Sequence, residues 1–117
     1  MTLLVASIAG AAGALCRYVV SGWMQQHTQS DFPVGTLTVN LTGSLLLGLV
    51  AGADHLQTTT ALAVVGFLGG FTTFSTWMIE TIRLGFPDLR STRALANLLL
   101  TLTVGVALAA AGYSLTN

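Results

Sequence analysis

The chain has 117 residues, of which 53% are hydrophobic and 7% charged, with zero formal net charge and a mean hydropathy of +0.79. Soluble domains carry roughly 25% charged residues, so this composition excludes a water-soluble domain and points to a lipid bilayer. The absence of lysine excludes an electrostatic footprint for nucleic acid. The lone Cys16 excludes an internal disulfide and reads as a small packed residue.

A membrane-spanning helix needs about 20 mostly apolar residues, and the first window that qualifies runs roughly from Leu3 to Met24. It lacks the positively charged start of a signal peptide. Arg17 falls inside the apolar stretch and further apolar stretches follow, so the segment is better read as a retained span. Ala6, Gly10 and Ala14 recur at fourfold spacing, and Gly43 and Gly48 follow in the second span. Small residues let helices approach closely in lipid, either within one subunit or between subunits, and a homo-oligomer is the economical expectation. Arg17, in "GALCRYVV", either snorkels toward the interface near Met24 or supplies a fixed positive charge that draws an anion toward an aqueous vestibule.

After "QQHTQSDFP" the second span covers roughly Val34 to Ala53. Asn40 shares its helical face with Thr36, Ser44 and Gly48. A buried amide must find partners, so Asn40 is either interhelical glue or a source of NH2 donors along an anion path.

After "DHLQTT" the third span runs roughly from Thr60 to Ile82 and contains "GFLGGFTTFSTW". Gly66, Gly69 and Gly70 each weaken helix propagation by about 1 kcal/mol relative to alanine, and with Thr72 and Thr73 behind them they predict a break over Gly69 to Thr72. Nonhelical backbone at this depth is tolerated only where it faces protein or a polar cavity. A break also frees carbonyls that can coordinate a cation. Beyond it, Phe74 and Trp77 are three apart, as are Thr73 and Thr76, giving adjoining aromatic and hydroxyl stripes. Ring edges are electropositive and hydroxyls can donate, a combination suited to replacing water around a small anion. A glycine-rich packing face would account for the glycines alone. Glu80 and Arg83, three apart at the end of the span, predict an ion pair on one face; a proton-relay role for Glu80 has nothing else to relay to.

"RLGFPDLRSTR" leads to the fourth span, roughly Ala94 to Leu115, where Asn97, Thr101 and Gly105 form a stripe that reads as packing. Arg83, Arg90 and Arg93 flank this connection, whereas the opposite side has neither Lys nor Arg. The positive-inside rule therefore puts the arginine-bearing loop in the cytoplasm and both termini outside. The expected architecture is an all-α membrane protein, a single transmembrane domain over 1–117 with four spanning helices and a broken third.

The blocks "GAAGALCRY", "PVGTLTVNLTGSLLLG" and "GFLGGFTTFSTW", in that order and spacing, resemble the Fluc (CrcB) family of fluoride channels over nearly the whole chain. The "GGxTTFST" core is highly specific. The resemblance implies an antiparallel dual-topology dimer in the cell membrane, with two pores related by a twofold axis in the membrane plane. It implies a structural Na+ at the dimer interface, held by the backbone carbonyls of Gly69 and Thr72. It assigns fluoride binding in the pore to Asn40, Phe74, Trp77, Thr73, Ser75 and Thr76, and the vestibule charge to Arg17. The implied role is passive export of fluoride that enters cells as HF, down its gradient and without ATP.

Two departures stand out. Trp77 occupies the place of the family's Phe. The arginine bias is also larger than a dual-topology homodimer prefers, so a heterodimer with an oppositely oriented homologue stands beside the homodimer, which is the default. Two other classes remain in view. A small proton-coupled exporter wants a carboxylate in the bundle interior, and no Asp or Glu is central in any span. A nonconducting partner subunit fits the one-sided arginines. No nucleophile–base pair or metal cluster supports an enzyme.

Overall fold

The computed structural model describes residues 1–85 and 91–117. Within them the regular elements are helices: α1 Thr2–Thr28, α2 Val34–Gly52, α3 Thr58–Phe71, α4 Ser75–Gly85 and α5 Thr92–Thr116. α3 and α4 together form the third span, so four helical segments are long and apolar enough to cross a membrane. Arg90 lies outside the described residues.

α1 outruns its expected end at Met24 and continues to Thr28, where Gln29 turns left-handed with φ 46° and stops it. Gln25 then organises the connection. Its Nε2 donates to the carbonyls of Ser30 and Phe32, and its Oε1 accepts from Gly35 N, a donor in the first turn of α2. Exposed Arg93 and Asp31 form an ion pair at 3.7 Å, which places the first and third connections on the same side as expected.

The helices associate as two close pairs, α1 with α3 and α2 with α5, and α4 packs against α5. Small residues make both pairs possible. A Cβ on Gly70 would fall on the carbonyl of Gly10, and one on Gly66 would lie 2.5 Å from the carbonyl oxygen of Ala6. Gly48 likewise meets the backbone of Ala109 across the α2/α5 seam. The small-residue positions at Ala6, Gly10, Gly48 and, against Thr72, Gly43 are therefore taken up within the chain. They give no support to the expected homo-oligomer, because their close approaches are already made.

The third span is broken, but later than expected. Gly69 and Gly70 stay helical; Thr72 N still donates to Leu68 O at 2.9 Å, and only at Thr72 does the backbone become extended, with φ −83° and ψ 160°. Glycine's helix penalty of about 1 kcal/mol is outweighed here by the close seat of α3 on α1. What ends the helix is a competing partner for the next amide: Thr73 N donates to the side chain of Asn40 instead of to the helix.

A candidate anion path around the helix break

Asn40 sits on the face of α2 that looks at the break. Its Nδ2 donates to Thr73 O at 3.0 Å and its Oδ1 accepts from Thr73 N at 2.8 Å, so one amide satisfies both polar groups of a nonhelical residue. In lipid each of those groups would otherwise cost several kcal/mol. Asn40 is thus interhelical glue. Its second amide hydrogen lies outside this clamp, and the residue also lines an open groove of about 340 Å³. Of the two roles weighed from sequence, the structure shows the glue, and it sets the same residue on the wall of an open groove.

That groove is walled by Ser44 of α2, Val65, Leu68 and Gly69 of α3, Thr72 to Phe74 of the break, Trp77 of α4 and Thr101 of α5. Gly43 closes its floor, where only a hydrogen leaves room for the methyl of Thr72. Phe74 is 71% exposed there, while Trp77 is only 6% exposed and meets it edge-to-face, with ring centroids 5.7 Å apart and an interplanar angle of 71°. The indole N–H does not face the groove: it donates to Asn97 O at 3.2 Å.

Past the break, hydroxyls start α4. Thr76 N donates to Thr73 Oγ1 at 3.4 Å, and the two hydroxyls are 3.1 Å apart. Arg17 joins them from α1, its Nη1 3.5 Å from Thr76 Oγ1. With α1 ending at Thr28, Arg17 lies about 16 Å from that end, and its side chain turns inward to α4. Its Nε is buried without a hydrogen-bond partner among the described residues, leaving a donor on a cationic group beside the hydroxyls. Ser75 is exposed and lines neither the groove nor the Arg17 contact.

One turn further along α4, the expected Glu80–Arg83 ion pair is replaced by a contact across helices. Glu80 Oε1 accepts from Thr36 Oγ1 at 3.0 Å, and no Glu80–Arg83 bridge is present among the described residues. Thr36 approaches from the same α2 face as Asn40, and a bond from a neighbouring hydroxyl costs less side-chain entropy than stretching toward an exposed Arg. Glu80 also borders a second hollow of about 330 Å³, shared with Gln25, Asp31, Pro33, Arg83 and Leu84 at the loop end of the bundle. Thr73, Thr76 and Glu80 therefore continue as one polar line facing Asn40 and Thr36. The signal was available in the spacing, since Thr36 lies one turn before Asn40. The partner across the helices was not.

The break leaves the carbonyls of Gly69, Gly70, Phe71 and Thr72 without their helical i+4 amides among the described residues. The i+4 amide of Gly69 is Thr73 N, held by Asn40, and that of Thr72 is Thr76 N, held by Thr73 Oγ1. Gly69 is exposed, and a Cβ there would meet nothing within 4 Å. Its neighbour Gly70 is walled in by α1.

The chain is similar in sequence to known proteins over most of its length. The family described as CrcB-like protein, Camphor Resistance (CrcB), covers residues 4–113. The chain belongs to the CrcB family. Among its relatives, the fluoride-specific ion channel FluC of Syntrophotalea carbinolica is 44% identical over 120 residues, 98% of this chain and 97% of the relative. Fluoride-specific ion channel FluC 2 of Mycobacterium tuberculosis is 44% identical over 103 residues, 88% and 81% of the two chains. FluC 2 of Haloarcula marismortui is 46% identical over 103 residues, 86% and 83%. Membership in this CrcB family and four apolar spans make the chain a multi-pass membrane protein and not an enzyme.

Proposed function

We propose that this CrcB chain is a subunit of a fluoride channel that lets the ion leave the cell passively. The observation that carries the reading is the clamped break: Asn40 holds Thr73 open while keeping a spare donor on a groove that begins at exposed Phe74. Fluoride is small and strongly hydrated, so a path for it must return hydrogen-bond donors for the water removed. Arg17 supplies the attracting charge, and the hydroxyls of Thr73 and Thr76 with the Asn40 amide supply donors. The edges of Phe74 and Trp77 carry the ion where donors end. Ser75, exposed at the start of α4, adds a hydroxyl only if a second chain or water brings the path to it. The relatives named as fluoride-specific channels agree with this direction of inference.

The groove is open to the side of the subunit, and polar backbone at membrane depth is not left against lipid. A second, oppositely oriented copy is the cover that fits, and exposed Gly69 gives it room for close approach. The carbonyls of Gly69 and Thr72, whose usual amide partners are engaged elsewhere, suit a hard cation. A Na+ held by them and by their counterparts would fasten the two breaks together. Arg83 and Arg93 on one face keep a heterodimer with a homologue as the second reading.

Fluoride efflux from liposomes containing only this chain, followed with a fluoride electrode, tests both readings. Efflux without a proton gradient and without matching chloride efflux is expected. No efflux from a folded chain alone removes the homomeric channel and leaves the partner-dependent form. Efflux that requires a proton gradient would replace the channel with an exporter.

A further inference from the structure

Trp77 and Asn97 belong to a hydrogen-bonded circuit that the conduction path itself does not use. Trp77 Nε1 donates to Asn97 O at 3.2 Å. Asn97 Nδ2 donates to Thr81 Oγ1 at 2.8 Å, and Thr81 Oγ1 donates to Trp77 O at 2.7 Å. The circuit leaves α4 from the indole, crosses to α5, and returns to the main chain of the same tryptophan. Asn97 has 0% exposure and Trp77 6%, so water has no access to the indole N–H and its acceptor, whereas Thr81 is half-buried.

The consequence is orientational. A phenyl ring at this position could turn in its packing without breaking a hydrogen bond. An indole cannot, because turning would leave a buried N–H without an acceptor. With the N–H spent on α5, the groove beside Phe74 receives only ring face and carbon-bound hydrogen. That difference matters for an ion that must pass. A strong N–H donor in the groove would hold fluoride, whereas conduction needs sites weak enough to leave. Weakly electropositive C–H edges meet that condition.

We propose that Asn97, acting through Thr81 and its own main-chain carbonyl, is a positioning residue that locks the Trp77 ring with its N–H turned away from the anion path. The proposal rests on the conduction reading above. It explains how this chain carries a tryptophan in that wall without adding a fluoride trap. The Asn97 side chain bonds Thr81, which does not line the groove, and only its main-chain carbonyl reaches Trp77, so its effect on the ion is exerted through the ring.

The test uses the full-length chain carrying Trp23→Phe, which leaves Trp77 as the only tryptophan. Asn97→Leu and the milder Thr81→Val are each made with Trp77 present and again with Trp77→Phe. With Trp77 present, both substitutions should lower the steady-state fluorescence anisotropy of the indole and reduce fluoride efflux about tenfold. In the Trp77→Phe background the same substitutions should change efflux by less than about twofold, because no N–H remains to be misdirected. Equal losses in both backgrounds would overturn the proposal, since they would mark Asn97 and Thr81 as packing only. Unchanged anisotropy in the Thr81→Val chain would overturn it as well. If the folded Trp23→Phe chain conducts no fluoride by itself, the homomeric conduction reading fails and the partner-dependent form is left, and anisotropy still decides whether the ring is locked.

Discussion

Two asparagines hold the broken third span, one from each side, and they do so with opposite remainders. Asn40 spends its oxygen and one amide hydrogen on Thr73 and keeps a donor at the groove. Asn97 spends its amide on Thr81 and keeps Oδ1, an acceptor that is buried without a partner among the described residues. An anion path needs donors and is repelled by a spare lone pair. On the proposed path the same residue type would serve conduction on the α2 side and rigidity on the α5 side. Burial alone does not distinguish them, since both are nearly inaccessible. The sign of the leftover group does.

Asn40→Asp is the sharpest way to break this comparison. It removes the donor to Thr73 O and places a negative charge on the groove, so fluoride efflux should fall by about two orders of magnitude. Efflux near the unmodified level from a folded Asn40→Asp channel would put the path elsewhere. The inward and outward faces of α3 give the next contrast. Gly70→Val forces a side chain onto the Gly10 carbonyl and should lower stability by about 2–3 kcal/mol, read as earlier loss of helical signal on heating in detergent. Gly69→Val should leave that subunit signal intact and, if the proposed second copy covers this face, reduce the yield of cross-linked dimer. A stable dimer carrying Val at 69 would mean that no chain covers this face.

Arg17→Gln keeps a hydrogen-bond donor near Thr76 and deletes the charge. Efflux should drop about tenfold, and its dependence on ionic strength should flatten; an unchanged salt dependence would free Arg17 of its attracting role. Smallest of all is Asp31→Asn, which removes an ion pair whose side chains are 64% and 91% exposed. Melting should shift by no more than about 0.5 kcal/mol, with efflux unaltered. A large effect would show that the two loops brace the mouth of the bundle.

Much of this was legible in the residues. Four apolar runs separated by short polar connections determine four spans, because hydration cost is summed locally along the chain and needs no knowledge of neighbours. "GGFTTFST" likewise announced a break with donors and rings behind it. Its position was misplaced by a few residues, since glycine's propensity was read without the α1 backbone that holds Gly70 in a helix. Glu80 shows the same limit. Its nearest opposite charge in sequence is Arg83, yet its partner is Thr36, 44 residues away.

What the sequence by itself determined is therefore the membrane class, the number of crossings and the family, and it named candidate residues for a path. Which of those residues retain a free donor was decided only by the tertiary structure. A hydrogen bond consumes the group it uses, and the consumers here come from other helices: Thr73 for Asn40, Thr81 for Asn97, and Asn97 for the indole of Trp77.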